Sequence, residues 1–278
     1  MILVAGGTGR LGSRVVLQLA AQGLEMRVLT RDVARAEHLR DRAEIVVGDV
    51  TDRAAVDVAM ARVDTVVSAV QGFAGPGRVS PESVDHTGNV HLVDAATMVG
   101  ADVVMVSVVG AAPDHPMDLF RAKYAAERYV QGSEVGWTIV RATAFVELWA
   151  EILAKGIVFG KGDNPINFVS VDDVAAVVAR TVTDTETRGS ILEVGGPENV
   201  TINELMAMLA EVSGGPAKVR HLPRALLRVM ARINRQPRAA LAMDTIDMTF
   251  DPAAARRYPH LAMTDLTTAL RGMWPAAV

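Results

Sequence analysis

The sequence has no cysteine among its 278 residues, which excludes disulfides, thiolate metal sites and cysteine nucleophiles. Its formal net charge is only −4, so no strong overall field draws the protein to nucleic acid or to an anionic membrane. No apolar run reaches the ~18 residues that a membrane-spanning helix needs. These absences indicate a soluble globular protein for which we expect neither a nucleic-acid partner nor a membrane partner.

The first residues resemble a buried strand and not a targeting signal. Residues 2–5 are apolar and Gly6 follows at once, with no basic segment or cleavage motif before them. A chain without cysteine also suits a reducing compartment. We therefore expect a cytoplasmic protein.

Short apolar runs alternate with longer segments of helical period over about the first half of the chain. Most of the runs are continuously apolar, as in strands that are covered on both faces. Repeated β-α units imply a parallel sheet with right-handed crossovers. The predicted strands are 2–5, 26–30, 45–47, 65–69, 103–107 and 138–141, and the predicted helices are 10–22, 33–40, 52–61, 81–99 and 117–132.

The second half of the chain is less regular. Ser170 is expected to cap a helix in which Asp173 occupies the third position. Thr201 and Glu204 have the spacing of a capping box ahead of another helix. The other predicted elements are a helix over 145–155, a strand over 191–194, a helix over 205–212 and short helices from residue 218 to the end.

The strongest motif is a glycine-rich turn between the first predicted strand and the first predicted helix. Glycines allow a tight turn and let backbone N–H groups approach a pyrophosphate, while the helix directs its positive end at that anion. A glycine-rich turn without a ligand is the alternative. The motif predicts a dinucleotide-binding site formed by Gly6, Gly7, Thr8, Gly9, Arg10, Leu11 and Gly12.

Together these patterns predict an α/β fold, namely a doubly wound parallel sheet of the Rossmann type with a small, mostly helical C-terminal lobe. We assign residues 1–155 to an NAD(P)-binding core and residues 156–278 to the lobe, which is expected to bind substrate. No linker rich in Pro, Gly or Ser separates the two. The lobe is therefore expected to be interwoven with the core and not to fold independently.

The end of the second strand bears on the choice of cofactor. NAD sites usually carry an acidic residue there, which binds the ribose 2′-hydroxyl. This chain has Arg31, whose guanidinium can pair with a 2′-phosphate. Asp32 is better explained as a cap of the next helix. We therefore expect NADP(H) in preference to NAD(H).

Two further strand ends are candidate cofactor contacts. Asp49 follows the third strand together with Val50 and could accept from the adenine amino group, although an ordinary turn residue is an equal alternative. Ser68, Ala69 and Val70 follow the fourth strand. Ligands collect at such strand ends in open α/β sheets, and small residues let the backbone approach them.

In this order, these features resemble the NmrA-like group of atypical short-chain dehydrogenases. The resemblance covers residue 1 to about residue 215, and the rest of the chain adds nothing to it. It implies a Rossmann fold that binds NAD(P). It rests on the glycine-rich turn and on residues 29–32, 48–49, 104–107 with 110–111, 120–123 with Glu127, 137–141 and 166–175.

Typical short-chain dehydrogenases exchange the substrate proton through a Tyr four residues before a Lys. The resemblance places Lys123 at the Lys position and Leu119 at the Tyr position, so it implies cofactor binding more firmly than carbonyl chemistry. Tyr124 lies roughly 100° further round the helix. Lys123 could hold the nicotinamide ribose or donate the proton, as the equivalent Lys does in isoflavone-reductase-like enzymes. A surface pair with Glu127 is the alternative.

The resemblance also implies roles for three residues at strand ends. Ser107 stands where the active-site serine of the family would lie and could hold a carbonyl oxygen, or it could be an ordinary loop residue. Thr143 and Phe145 fall in the loop that covers the nicotinamide in this family. Phe145 and Trp149 could form an apolar wall for the substrate, although core packing is the commoner fate of such residues.

Other charged patterns have simpler explanations. Asp172 and Asp173 fit helix capping and the helix dipole, and the six histidines show no metal-ligand spacing, so no metal is expected. An Arg recurs every four positions from Arg220 to Arg232, which predicts an amphipathic basic helix. That helix could contact a protein partner, although a solvated face is the simpler interpretation.

The sequence therefore predicts an NADP(H)-dependent oxidoreductase that reduces a small apolar carbonyl, enone or quinone by hydride transfer. The cofactor carries the chemistry, and Lys123 with Ser107 would assist protonation. A non-catalytic NADP(H)-binding redox sensor is the alternative, because the usual Tyr is missing. A weaker third hypothesis is an epimerase or dehydratase with a bound cofactor.

Overall fold

The computed structural model describes residues 1–73, 79–214, 219–251, 253 and 262–274. The chain forms two compact units. The predicted boundary at residue 155 and the dependence of the lobe on the core stay predictions. Unit 1 consists of Met1–Arg141 and Val174–Leu192, and unit 2 consists of Ala142–Asp173 and Glu193–Val278.

The described residues contain twelve strands and ten α-helices. The strands are β1 (Ile2–Ala5), β2 (Met26–Thr30), β3 (Glu44–Val47), β4 (Thr65–Ser68), β5 (Asp102–Val108), β6 (Trp137–Ala142), β7 (Ala144–Phe145), β8 (Ile157–Phe159), β9 (Pro165–Val169), β10 (Ser190–Val194), β11 (Asn199–Thr201) and β12 (Arg220–Leu222). The helices are α1 (Arg10–Ala21), α2 (Arg53–Ala59), α3 (Gly88–Val99), α4 (Asp118–Gln131), α5 (Val146–Leu153), α6 (Val171–Thr183), α7 (Ile202–Ser213), α8 (Arg224–Met230), α9 (Arg235–Met243) and α10 (Leu266–Met273). Over the part of the chain that is described, no helix has both the length and the hydrophobicity needed to cross a bilayer.

Unit 1 is built on a seven-stranded sheet. Its strand order is β10-β6-β5-β4-β1-β2-β3, and the pairings from β3 through β2, β1 and β4 to β5 are parallel. Strands β1, β2 and β4 are buried along their whole length, as expected of strands that are covered on both faces. The carboxyl ends of these parallel strands therefore lie along one edge of the sheet.

Two helical segments of unit 1 differ in type from a regular α-helix. The segment predicted over 33–40 is a 3₁₀ helix spanning Ala34–Leu39. The segment predicted over 81–99 begins as a π-helix over Pro81–Thr87 and continues as α3. Ser80 caps it with its side chain, and Pro81 follows at the first helical position. π-Helical turns occur often at functional sites.

Unit 2 contains short strands beside its helices. Strands β11, β9 and β7 form one small sheet, and β12 pairs with β8 in parallel. The capping box predicted ahead of α7 is confirmed, because the Thr201 side chain accepts from the backbone N of Glu204 and the Glu204 side chain accepts from that of Thr201.

The start of α6 differs from the predicted cap. Ser170 Oγ accepts from the backbone N of Asp172 at 3.3 Å, as expected. Asp173 does not close a capping box with it, since its carboxylate accepts from the backbone N and Oγ1 of Thr264 at 2.7 and 2.8 Å. Instead, Glu147 accepts from Ser170 Oγ at 3.0 Å. A residue distant in sequence thus replaces the local partner.

The single basic helix predicted over 220–232 is wrong. Arg220 lies in β12, and α8 begins only at Arg224, after Pro223. Proline fixes its own φ and lacks a backbone N–H, so it interrupts a helix that would run from residue 220 to residue 232. Arg224 donates from Nε to Asp244 Oδ2 at 2.5 Å. Arg220 therefore does not lie on the same helix as Arg224 and Arg228, and contact with a protein partner through this segment stays a prediction.

Candidate cofactor-binding site

The glycine-rich turn between β1 and α1 is shaped by approaches that require glycine. Gly6 has a φ of +81°, and a Cβ on it would lie 2.6 Å from the carbonyl oxygen of Ala69. A Cβ on Gly12 would lie 2.2 Å from the carbonyl oxygen of Gly6. Because these neighbours are backbone atoms, no side-chain movement can make room. The turn therefore holds β1, the end of β4 and α1 together at the carboxyl edge of the sheet.

The amino end of α1 is suited to an anion. Its N-cap is Gly9, which provides no capping side chain, and no acidic residue lies in the first turn. Gly9 N donates to Gly6 O at 2.9 Å, which closes the turn. The first amides of a helix lack partners within the helix, and the helix dipole adds partial positive charge there. A pyrophosphate is the kind of group that such an end binds.

Two arginines flank this turn. Arg31 follows β2, is half exposed, and its Nη1 lies 3.7 Å from Oδ2 of Asp49. Arg35, in the 3₁₀ helix, donates from Nη2 to the carbonyl oxygen of Thr8 at 3.3 Å. The sequence analysis missed Arg35, because several arginines lie in this segment and their spacing does not reveal which one turns back to the glycine-rich turn.

Two acidic residues near these arginines are used by local turns. Asp49 Oδ1 accepts from the backbone N and Oγ1 of Thr51, both at 2.9 Å, so the turn interpretation describes one of its oxygens. The cofactor role of Asp49 toward an adenine stays a prediction. Asp32 Oδ1 accepts from the backbone N of Ala34 at 2.9 Å, but the N-cap of the 3₁₀ helix is Val33 and not Asp32.

The segment at the end of β4 would meet a cofactor through its backbone. Ser68 is fully buried, and its Oγ donates to Asn89 Oδ1 at 2.6 Å. Val70 and Val50 are also buried, at 7% and 8% exposure. Ala69 lies against Gly6 through its carbonyl oxygen. The cofactor contacts predicted for these residues stay predictions, and they would not use the Ser68 hydroxyl.

Lys123 is buried inside unit 1, where three groups surround its ammonium. Its Nζ donates to the carbonyl oxygens of Val70 and Val106, both at 3.0 Å. It also lies 3.1 Å from Oδ1 of Asp85, in an ion pair whose angles are not those of a hydrogen bond. Ribose binding or proton donation by Lys123 stays a prediction.

Asp85 is a functional candidate that the sequence analysis missed. It lies in the π-helix, is fully buried, and its Oδ2 accepts from the backbone N of Gly72 at 2.7 Å. Burial raises its pKa, and the neighbouring Lys123 opposes that rise. The pair links α4 to the loop that follows β4.

The predicted alternative of a surface pair between Lys123 and Glu127 is wrong. Glu127 is 2% exposed and accepts from Nε and Nη2 of Arg141 at 2.9 and 2.5 Å. Ser107 Oγ donates to the same carboxylate. Both side chains of the expected pair face the interior, where other partners are closer. Ser107 is itself 2% exposed. Its role toward a carbonyl stays a prediction, and the hydroxyl would have to exchange its hydrogen bond to Glu127 for one to the substrate.

The remaining predicted residues belong to unit 2. Thr143 Oγ1 donates to Asn167 Oδ1 at 2.9 Å. Phe145 lies in β7, opposite Val169 of β9. Trp149 packs edge-to-face on the buried Phe168, with ring centroids 6.4 Å apart, and lines a cavity of about 10 Å³. Such a cavity holds about one water molecule. Trp149 is half-buried, and its role as a substrate wall or as a core residue stays a prediction.

The geometry of unit 1 agrees with comparisons to known proteins. A family model described as NAD(P)H-binding matches residues 6–185. The NAD(P)H azoreductase of Xenophilus azovorans is 30% identical over 225 residues, which span 78% of this chain and 76% of that protein. The (4-alkanoyl-5-oxo-2,5-dihydrofuran-3-yl)methyl phosphate reductase of Streptomyces griseus is 34% identical over 229 residues, which span 80% and 77%.

A solved structure shares the fold. The NADPH-dependent quinone oxidoreductase QOR2 of Escherichia coli, complexed with NADPH, matches with a TM-score of 0.78 at 21% identity, over 99% of this chain and 100% of that chain. The doubly wound α/β fold predicted from the sequence is thereby confirmed.

Proposed function

Because this chain belongs to the NAD(P)H-binding family, we propose that it is an NADPH-dependent reductase that transfers hydride to a small, fairly apolar carbonyl compound, enone or quinone. The family and the relatives named as reductases support a nicotinamide-dependent oxidoreductase. The choice of NADP(H) and the substrate class are the finer parts of the proposal.

The glycine-rich turn fits the pyrophosphate of such a cofactor. Gly6 packs tightly on Ala69, and Gly12 packs tightly on Gly6. Since these glycines have no Cβ, a ligand that approaches the turn would meet backbone atoms there. Gly9 at the N-cap adds no side chain that would compete for the first amides of α1. These residues would hold the two phosphates, and the backbone of Val70 would lie beside them.

The two arginines are the observation that carries the preference for NADP(H). The exposed pair of Arg31 with Asp49 at 3.7 Å contributes little to stability. The bond from Arg35 to Thr8 O, at 3.3 Å, is longer than the usual 2.9–3.0 Å. Both guanidinium groups can therefore exchange weak contacts for charge-assisted bonds to a 2′-phosphate. A ribose 2′-hydroxyl would offer them no comparable partner.

A bound reduced nicotinamide would supply the hydride, and the protein would position it and exclude water. The residues of this chain would bind and orient the cofactor. The glycine-rich turn and α1 would bind the pyrophosphate, and Arg31 with Arg35 would bind the phosphorylated ribose. The names of the two relatives supply the support for a reducible, partly unsaturated substrate.

Cofactor choice is tested by titrating NADPH and NADH into Arg31→Ala and Arg35→Ala. Each variant is expected to raise the Kd for NADPH about tenfold, which corresponds to about 1.4 kcal/mol for one charged contact. The Kd for NADH should stay within about twofold, because NADH lacks the group that the arginine binds.

Arg40→Ala is the matched control. Arg40 follows the same 3₁₀ helix and pairs with Glu37 at 2.7 Å, so its loss should change neither Kd. Equal weakening of NADPH and NADH in Arg31→Ala or Arg35→Ala would contradict the assignment of the 2′-phosphate site, as would tighter binding of NADH by the wild type.

Substrate class is tested with a panel of quinones, enones and aldehydes, with NADPH oxidation followed by absorbance. Turnover of at least one carbonyl compound is expected. A redox sensor is the second candidate function, because the ammonium of Lys123 and the hydroxyl of Ser107 are both engaged inside the protein. Tight NADPH binding with no turnover across the panel would favour the sensor.

A further inference from the structure

The groups expected to assist protonation in this fold are already engaged by partners inside unit 1. Lys123 Nζ has three partners, and Ser107 Oγ donates to Glu127. Leu119, at the position of the usual Tyr, is a buried hydrocarbon with 6% exposure. A reductase still needs a donor for the negative charge that develops on a carbonyl oxygen.

The loop that follows β5 carries a different candidate, His115. This loop leaves the carboxyl end of β5 and leads into the amino end of α4. It therefore lies at the sheet edge where open α/β folds bind ligands. The neighbouring strand β4 ends beside the glycine-rich turn, through the contact of Gly6 with Ala69. Lys123 Nζ ties α4 to the ends of both strands.

The imidazole of His115 has a defined tautomer. Its Nδ1 accepts a hydrogen bond from the backbone N–H of Met117 at 3.1 Å. A nitrogen that accepts carries no proton, so in the neutral ring the proton must lie on Nε2. Among the described residues, Nε2 has no hydrogen-bond partner, and it is not a buried atom. The ring therefore presents one N–H donor outward.

The ring is also held in place. It stacks on Phe120 with centroids 4.0 Å apart and an interplanar angle of 10°. Phe120 is 6% exposed, and Arg121 donates from Nη1 to the carbonyl oxygen of His115 at 2.6 Å. A donor fixed by packing and by its own backbone needs little reorganisation during a reaction.

The surroundings keep this ring neutral. Burial lowers the pKa of His115, and the charge of Arg121 acts in the same direction, while that of Asp114 opposes it. The bond accepted from Met117 N–H also favours the neutral form, because protonation of Nδ1 would break it. Asp118 is engaged by Arg121 through an ion pair at 2.5 Å.

We propose that neutral His115 donates a hydrogen bond from its Nε2–H to the carbonyl oxygen of the substrate during hydride transfer. This hydrogen bond would take the place of the one from the missing Tyr. This inference rests on the proposed reductase function. The carbonyl carbon gains the hydride with its electron pair from the reduced nicotinamide, which is thereby oxidised. The C=O π pair moves to oxygen, where the Nε2–H bond stabilises it, as a neutral imidazole can. The oxygen then takes its proton from water, because transfer from Nε2 would leave an imidazolate.

The test compares His115→Phe with His115→Gln on a carbonyl substrate that the wild type reduces. Phenylalanine keeps a ring for the stack on Phe120 but has no donor, so kcat should fall on the order of 10²–10³-fold. Glutamine has an amide donor and should retain more of the activity. The Kd for NADPH should be unchanged in both. His38→Phe, at an exposed position of the 3₁₀ helix, should behave as the wild type.

The pH profile supplies a second readout. A neutral imidazole loses no proton between about pH 7 and pH 9, so wild-type kcat should be flat there. A rate that depended on proton donation by a charged imidazolium would fall as pH rises over this range, because the protonated fraction of the ring falls.

The outcomes separate the inference from the function. Wild-type turnover with His115→Phe within about threefold of it would overturn the role of His115 and leave the reductase proposal intact. Loss of NADPH binding in both variants would also overturn it, since His115 would then be structural. No turnover by the wild type on any carbonyl compound would overturn both.

Discussion

Replacing Lys123 should destabilise the protein before it affects any chemistry. Lys123→Met keeps the buried hydrocarbon stem and removes the charge that lies 3.1 Å from Oδ1 of Asp85. Asp85 is fully buried, so water cannot compensate its carboxylate for the lost positive charge. At an effective dielectric of about 20, the lost attraction is about 5 kcal/mol. Breaking a buried pair typically costs about 3–5 kcal/mol.

Proton uptake by Asp85 limits the loss. The ordinary pKa of an Asp carboxyl is 3.8, so keeping it protonated in the folded state at pH 7 costs about 4 kcal/mol. Burial already raises this pKa, and without Lys123 it rises further. The folded variant then binds a proton that the unfolded chain releases, so its stability falls as pH rises, by at most about 1.4 kcal/mol per unit. The deficit against the wild type should shrink toward about 2 kcal/mol at pH 5.5.

The assay is urea unfolding of cofactor-free protein, followed by circular dichroism at pH 5.5, 7 and 8. Asp85→Asn combined with Lys123→Met removes both charges and should recover most of the loss. Lys155→Met makes the same substitution at an exposed site and should change the free energy of unfolding by less than about 0.5 kcal/mol. The reasoning fails if Lys123→Met and Lys155→Met lose equally, or if the deficit is independent of pH.

Two further substitutions test the turn and the serine. Gly12→Ala would place a Cβ 2.2 Å from the carbonyl oxygen of Gly6. The variant should lose about 1–3 kcal/mol of stability and bind NADPH and NADH more weakly to the same degree. Thermal melts without and with each cofactor measure both effects, and an unchanged melting temperature would contradict this contact. Ser107→Ala removes one of the hydrogen-bond donors to the buried Glu127, so the free energy of unfolding should fall by about 1–3 kcal/mol. If steady-state kinetics instead show that kcat falls about a hundredfold while stability is unchanged, the catalytic role predicted from the sequence would be supported.

The sequence was sufficient for the sheet of unit 1 and for its opening turn. Continuous apolar runs such as 2–5 are encoded locally, and the close approach at Gly12 disfavours any side chain there. The expected membership of an NAD(P)-binding family and the prediction of an NAD(P)H-dependent oxidoreductase are confirmed. These features depend on short-range pattern, which a single sequence displays directly.

The partners of buried charges were beyond the sequence. A surface pair of Lys123 with Glu127, four positions on, was the alternative to a functional role, whereas its ion pair is with Asp85 in another helix. Helical spacing identifies neighbours on one helix surface, but the interior face of α4 meets groups that only the folded chain brings near. The turn of Arg35 back to Thr8 was missed for the same reason.

The basic segment shows the converse failure, in which a regular spacing had no structural meaning. Four-residue spacing from Arg220 to Arg232 suggested one helix, but Pro223 separates a strand from a helix within it. The pairing of β12 with β8 involves residues more than sixty positions apart. A local periodicity carries no information about such pairing, and here the non-local contact determined the structure.

The chain crosses between the two units three times, and these crossings limit how chimeras can be built. Unit 1 recovers residues Val174–Leu192 only after the chain has passed through Ala142–Asp173. A donor lobe therefore cannot be joined at one junction, since a simple fusion after Arg141 would discard α6 and the edge strand β10. A transplant would need an internal cassette together with a replaced tail, cut at three points. Libraries that recombine this protein with its relatives should place their crossovers at those points.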